Sequence, residues 1–231
     1  MKTIGLLGGM SWESTHHYYA GLNQGIQERL GGLHSAPIWL RSVDFAPIES
    51  LMRQHKWEDI AAILITHAKA LEEAGAEGIV LCTNTMHKLA PVIQQNITIP
   101  LLHIAQVTAQ AIRSQGLKEV ILLGTRFTME EDFYTRILQE NHLIVHTPNN
   151  ADKERIDRII FEELCLGKVT KTSKKEYVDI IEALTQTHPS IQGVILGCTE
   201  IGMLISQDDL SLKVFDTTTL HVKAILDFMT A

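Results

Sequence analysis

The chain has 231 residues, 45% of them hydrophobic and 20% charged, enough to bury a sizeable core in one large domain or two small ones. A formal charge of −7 and the lack of a basic stripe argue against a nucleic-acid binder, because such affinity rests on Lys and Arg neutralising phosphates. The longest apolar runs fall far short of the roughly 20 residues a bilayer span needs, and the N-terminus reads as strand and turn rather than signal peptide, so the expected compartment is the cytoplasm.

Short β-branched or leucine-rich runs alternate with segments of helical period, the pattern of βα units on a mostly parallel sheet. In chain order this predicts a strand over 3–7, a helix over 14–30, a strand over 38–43, a helix over 57–74 and a strand over 78–81. A short helix after Asn84 and a strand over 101–103 follow. The second part predicts a helix over 104–115, a strand over 119–123, a helix over 129–141, a strand over 143–146, and helices over 151–164 and 174–187. Strands over 193–196 and 213–215 and a helix over 220–229 close the chain. The stretch from Asp44 to Arg53 reads as loop.

The chain also resembles itself. Leu6-Leu7-Gly8 recurs as Leu122-Leu123-Gly124, and Gly78 to Thr83 (GIVLCT) recurs as Gly193 to Cys198 (GVILGC). Ala111-Ile112 recurs more weakly as Ala224-Ile225. A near-constant offset in unchanged order predicts two similar α/β halves, residues 1–103 with 208–231, and residues 104–207. If a pseudo-twofold axis relates them, the loops after Leu81 and Leu196 face each other across a cleft, where α/β sheets bind ligands. Thr83 and Cys198 then occupy equivalent positions.

Three cysteines, Cys82, Cys165 and Cys198, show no CxxC spacing, so free thiols are expected and each, read alone, is a small buried hydrophobe. Cys198-Thr199-Glu200 and Thr83-Asn84-Thr85-Met86-His87 both stand at strand ends and lead into predicted helices. Backbone N–H groups at a helix start, with Thr and Asn beside them, suit a carboxylate and favour thiolate at Cys198. Gly8-Gly9-Met10-Ser11 offers a third such turn, without a dinucleotide or P-loop fingerprint. By the repeat, Thr125 and Arg126 bring hydroxyl and cationic groups to the same place. Adjacent His16 and His17 point about 100° apart on a helix, and no metal site is expected.

The strings Gly8-Gly9-Met10-Ser11-Trp12-Glu13-Ser14-Thr15, Thr83-Asn84-Thr85-Met86-His87, Leu123-Gly124-Thr125 and Gly197-Cys198-Thr199-Glu200 resemble the aspartate/glutamate racemase family over essentially the whole chain. The resemblance implies an α/β fold of two Rossmann-like (flavodoxin-like) halves with parallel sheets, an active site between them, no pyridoxal phosphate or other cofactor, and a homodimer. Inverting an α-carbon needs one group on each of its faces, and in the family both are usually cysteines. This chain departs at Thr83. Cys82, one residue earlier, should point to the opposite side of the strand. The expected acid/base pair is therefore Cys198 with Thr83, and its activity on the two enantiomers is expected to be unequal.

Met10, Ser11, Met52, Thr83, Asn84, Thr85, Thr125, Lys168, Thr199 and Glu200 are the expected substrate contacts. Lys168 matches a family position whose cation meets the side-chain carboxylate, whereas Asp44-Phe45-Ala46-Pro47 lacks the arginine some members carry. Met52, with Arg53 in the adjoining loop, would admit other amino acids. Blander roles stand beside these: Thr83 as a helix cap, His87 as a structural histidine rather than a group that orients Asn84 or polarises Thr83, and Cys165 as core. The functional alternatives are a broad-specificity racemase, a superfamily decarboxylase or maleate isomerase, and an amino-acid-binding protein without turnover.

Overall fold

Residues Met1 to Ala231 are all described by the computed structural model. Seven short runs form strands: β1 (Ile4–Gly8), β2 (Ile38–Ser42), β3 (Gly78–Leu81), β4 (Glu119–Leu123), β5 (Ile144–His146), β6 (Gly193–Leu196) and β7 (Lys213–Asp216). The helices are α1 (Trp12–Leu30), α2 (Phe45–Arg53), α3 (Trp57–Glu73), α4 (Ala90–Gln94), α5 (Ile104–Ser114), α6 (Arg126–Glu130), α7 (Asp132–Glu140), α8 (Asn150–Glu162), α9 (Lys171–Thr187) and α10 (Thr217–Thr230). They belong to two compact units, Met1–His103 with His221–Ala231, and Ile104–Leu220.

In the first unit a parallel sheet has the order β2-β1-β3, and one bridge from Ile79 to Leu101 extends it. The expected strand over 101–103 shrinks to that bridge, and the next carbonyl, that of Leu102, is bonded to His221 Nε2 at 3.0 Å rather than to β3. β1 and β3 are buried along their whole length, the signature of a parallel sheet covered on both faces. Ile4, Leu6, Val80 and Cys82 pack with Tyr18, Leu22 and Ile26 of α1 and with Ile225, Leu226 and Met229 of α10.

In the second unit the parallel order is β5-β4-β6-β7. Alternation along β4 splits its core in two: Ile121 and Leu123 pack toward α8 and α9, Val120 and Leu122 toward α5 and α7. Counting the Leu101 bridge, both units repeat one strand order. Pairing of β7 with β6 places residues 208–220 in this unit, not in the first as the sequence reading has it.

Two further differences have local causes. Residues 45–53 form helix rather than loop: Asp44 caps α2 by accepting from the N–H of Ala46 at 3.3 Å, and Pro47 falls in the first turn, where its missing N–H costs nothing. The helix expected over 129–141 is two helices, because Glu131 is extended (φ −90°, ψ 154°), and α6 begins earlier under its own cap, Thr125.

Candidate active site

In the first unit, the parallel pairing that sets Leu7 beside Leu81 brings the turns after β1 and β3 together at the carboxyl edge of the sheet. The Ser14 hydroxyl donates to the Cys82 carbonyl at 2.8 Å and ties the turns to each other. Ser11 caps α1, accepting from the Ser14 N–H at 3.2 Å, while Gly9, at φ 90°, lies against the Val43 backbone and allows no side chain. Met10, Ser11, Thr83, Asn84 and Thr85 are gathered here, all buried. Cys82 lies in the core with α1 and α10, and burial pushes its thiol far above the usual range. Met52 is not in a loop; it lies buried on α2.

The second unit repeats the arrangement. Leu123 pairs with Leu196, and the Gly197 N–H donates to the Leu123 carbonyl at 2.6 Å, so Thr125 and Cys198 follow adjacent strand ends. The Cys198 thiol donates to Glu200 Oε2 at 2.9 Å, and the Thr199 hydroxyl donates to the same oxygen at 2.8 Å. Cys165, expected only as core, reaches Glu200 Oε1 at 3.8 Å. Lys168 is exposed in the stretch between α8 and α9, three residues beyond Cys165.

Two electrostatic expectations change. The turn after Cys198 leads only into a three-residue 3-10 turn, Ile201–Met203, too short for aligned backbone dipoles to favour thiolate. Burial, followed by the Glu200 charge, instead holds the Cys198 thiol well above its ordinary pKa. Arg126 is spent within its own helix, its guanidinium donating to Glu130 at 3.0 and 3.4 Å.

Sequence reasoning missed the surroundings of His87. Its Nδ1 meets the Thr83 carbonyl at 2.8 Å, and the rings of His103 and His221 stand 4.6 and 5.9 Å from its own, centroid to centroid. These partners are far apart in sequence, and no local signal announces them. No group of His, Cys, Asp or Glu is gathered to hold a metal ion, and no helix is long and apolar enough to cross a membrane.

The model of the Asp/Glu/Hydantoin racemase family matches residues 7–225. A Yersinia pestis crystal structure that bears an Asp/Glu racemase name is 48% identical over 100% of both chains, with a TM-score of 0.91. An aspartate racemase homologue from Pyrococcus horikoshii OT3 is 37% identical, again over 100% of both chains, with a TM-score of 0.86. The broad specificity amino-acid racemase RacX of Bacillus subtilis strain 168 is 22% identical over 229 residues, 96% of this chain and 95% of its own. With the family match spanning nearly the whole chain and two solved relatives aligned from end to end, this chain belongs to the Asp/Glu/hydantoin racemase family.

Proposed function

We propose that this chain racemises a small amino acid, aspartate or glutamate first, by moving the α-proton without a cofactor. One observation carries the reading: Thr83 and Cys198 each stand two residues beyond the corresponding strand, β3 and β6, of two units with the same strand order. Cys198 serves one face of the α-carbon and the Thr83 side serves the other. At rest Cys198 is a thiol held on Glu200, and the carboxylate is the acceptor through which it becomes a thiolate. The thiolate then takes the α-proton, the Thr83 hydroxyl gives its proton to the opposite face, and the cycle closes as the Thr83 alkoxide takes a proton from water and Glu200 gives its proton up to water. A hydroxyl is the weaker base, so deprotonation starting from Thr83 is the slower direction.

The remaining expected contacts divide the substrate between them. Met10, Ser11, Asn84, Thr85, Thr125 and Thr199 offer hydroxyl, amide and backbone groups for the α-carboxylate, and exposed Lys168 offers a cation for a side-chain carboxylate. Buried, apolar Met52 supports a second reading, a wider amino-acid range like the one named for the Bacillus subtilis relative. A cytoplasmic homodimer completes the proposal. Trp39 and Leu40, exposed on edge strand β2, supply apolar surface for a second copy, and light scattering on the purified protein tests it.

The deciding experiment is an amino-acid panel in D2O followed by proton NMR, which reports substrate and α-proton exchange together. Cys198→Ser is expected to abolish both deuterium uptake and inversion, and retained inversion overturns the assignment. Tight amino-acid binding by the wild-type protein with no exchange at all would identify a binding protein instead.

A further inference from the structure

We infer that His87 is the positioning residue for Thr83, holding the Thr83–Asn84 peptide in one orientation through its Nδ1–H and a packed set of imidazoles. The inference rests on the proposed function, and it concerns the Thr83 side alone. The segment after Thr83 is a 3-10 helix, Thr85–Leu89, in which the His87 backbone N–H donates to the Asn84 carbonyl at 3.0 Å. An α-helical turn would direct that N–H four residues back, to Thr83. Here the side chain of His87 does this instead: Nδ1 lies 2.8 Å from the Thr83 carbonyl oxygen. A carbonyl only accepts; a backbone hydrogen bond to Leu102 also acts on the ring, and the bond to Thr83 forms in the tautomer that carries its proton on Nδ1, which is the one the inference assigns.

The ring that makes this bond is held from two other parts of the chain. His103 packs at 4.6 Å and His221 at 5.9 Å between centroids, one on the segment after the Leu101 bridge and one on α10. His221 is itself pinned at both nitrogens. Its Nε2–H donates to the Leu102 carbonyl at 3.0 Å, and its Nδ1 accepts from the Tyr18 hydroxyl at 2.8 Å. Burial keeps His87, His103 and His221 neutral, which is what leaves the His221 Nδ1 lone pair for Tyr18. The three rings form no metal-holding group.

The consequence follows from peptide planarity. Fixing the Thr83 carbonyl fixes the plane of the 83–84 peptide, and with it the Cα from which the Thr83 hydroxyl projects. A hydroxyl that must hand a proton to one face of a short-lived carbanion loses its rate when it is displaced by even about 1 Å. His103 and His221 are also the residues at which the chain leaves and re-enters the first unit, so the Thr83 turn is tied to both crossings through a single ring.

The test measures how the carbanion partitions. Starting in D2O from the enantiomer that exchanges faster, inversion reports protonation from the Thr83 side, and deuterium uptake without inversion reports return from Cys198. His87→Leu and His87→Gln are expected to lower the ratio of inversion to exchange by about tenfold, the size of one lost hydrogen bond, with exchange itself retained. His87→Asn, whose amide N–H takes the place of Nδ1–H, restores the ratio. An unchanged ratio in His87→Leu overturns the inference. Nitrogen-15 NMR of the wild-type protein supplies a test independent of folding and of activity. A protonated Nδ1 on neutral His87 is expected, and a bare Nδ1 overturns the inference even if the protein is a racemase. Amino-acid binding by the wild-type protein with no exchange at all would instead sink the racemase reading and leave the tautomer result standing.

Discussion

Acidification probes the buried imidazoles directly. Burial holds His103 near pKa 4 and His221 near 3, against 6.5 for a free ring, and lowers His87 further than the ordinary range. The folded state therefore refuses protons that the unfolded chain accepts. Their contribution is intact above about pH 6.5 and is lost as the pH falls from there through about 4. At pH 5 an unfolded ring has gained about 1.5 units of protonation free energy that the folded one has not, or about 2 kcal/mol per ring at 1.36 kcal/mol per unit. His103 and His221 together then cost about 4 kcal/mol, a large part of a typical stability of 5–15 kcal/mol. The carboxylates of Glu72, Glu119 and Asp209 are shifted downward chiefly by their hydrogen bonds, so their share is lost as the pH falls below their ordinary values of 4.5, 4.5 and 3.8, in the lower part of the histidine window. Urea denaturation at pH 7, 6 and 5 measures the effect. His221→Phe, although less stable at pH 7, is expected to flatten the pH dependence by one proton. Equal stability of the wild-type protein at pH 7 and pH 5 refutes the burial of neutral imidazoles.

Glu200→Gln removes the negative charge beside Cys198 and is expected to lower the thiol pKa; alkylation of Cys198 against pH, resolved by mass spectrometry, checks it, and an unshifted profile shows that the carboxylate is not the cause. Gly197→Ala would set a Cβ 2.6 Å from the Leu123 carbonyl and 2.8 Å from Leu122 Cδ1, so a loss of about 1–3 kcal/mol is expected in thermal or urea unfolding. Lys168→Met is expected to raise KM for aspartate about fivefold, the size of one exposed ion pair, while leaving kcat and the KM for a neutral amino acid in place. An equal rise for both substrates removes Lys168 from side-chain recognition.

How much of this was legible in the sequence depends on where each determinant lies. β3 and β6 are short apolar runs bounded by glycine and polar turns, and their pattern is local, so they can be read directly. Alternation at a strand end likewise separates Cys82, in the core, from Thr83 at the next position. Helix α2 is short and contains Pro47, which hides a helix unless Asp44 is recognised as its cap and Ile48 and Met52 as its buried face. Glu131 breaks a helical pattern without a Gly or Pro to mark it. The thiol's environment runs opposite to what its sequence neighbours imply, because the length of the turn after Cys198 and the reach of Glu200 are properties of three dimensions. The partners of His87 come from positions 103 and 221, and spacing along the chain could not unite them.

The two units share a strand order but not the polar surroundings of their strand ends, and that contrast bears on the chemistry. Around Thr83 the fold places neutral imidazoles, which orient a peptide and store no proton at ordinary pH. Around Cys198 it places a carboxylate, which can accept the thiol's proton and also makes the thiolate harder to form. The two strand ends therefore share their position in the sheet, while the side chains around them differ in charge, with neutral imidazoles beside Thr83 and a carboxylate beside Cys198. Under the proposed function the Thr83 side compensates for its weak acidity by placement, and His87, through the Thr83 carbonyl, sets that placement.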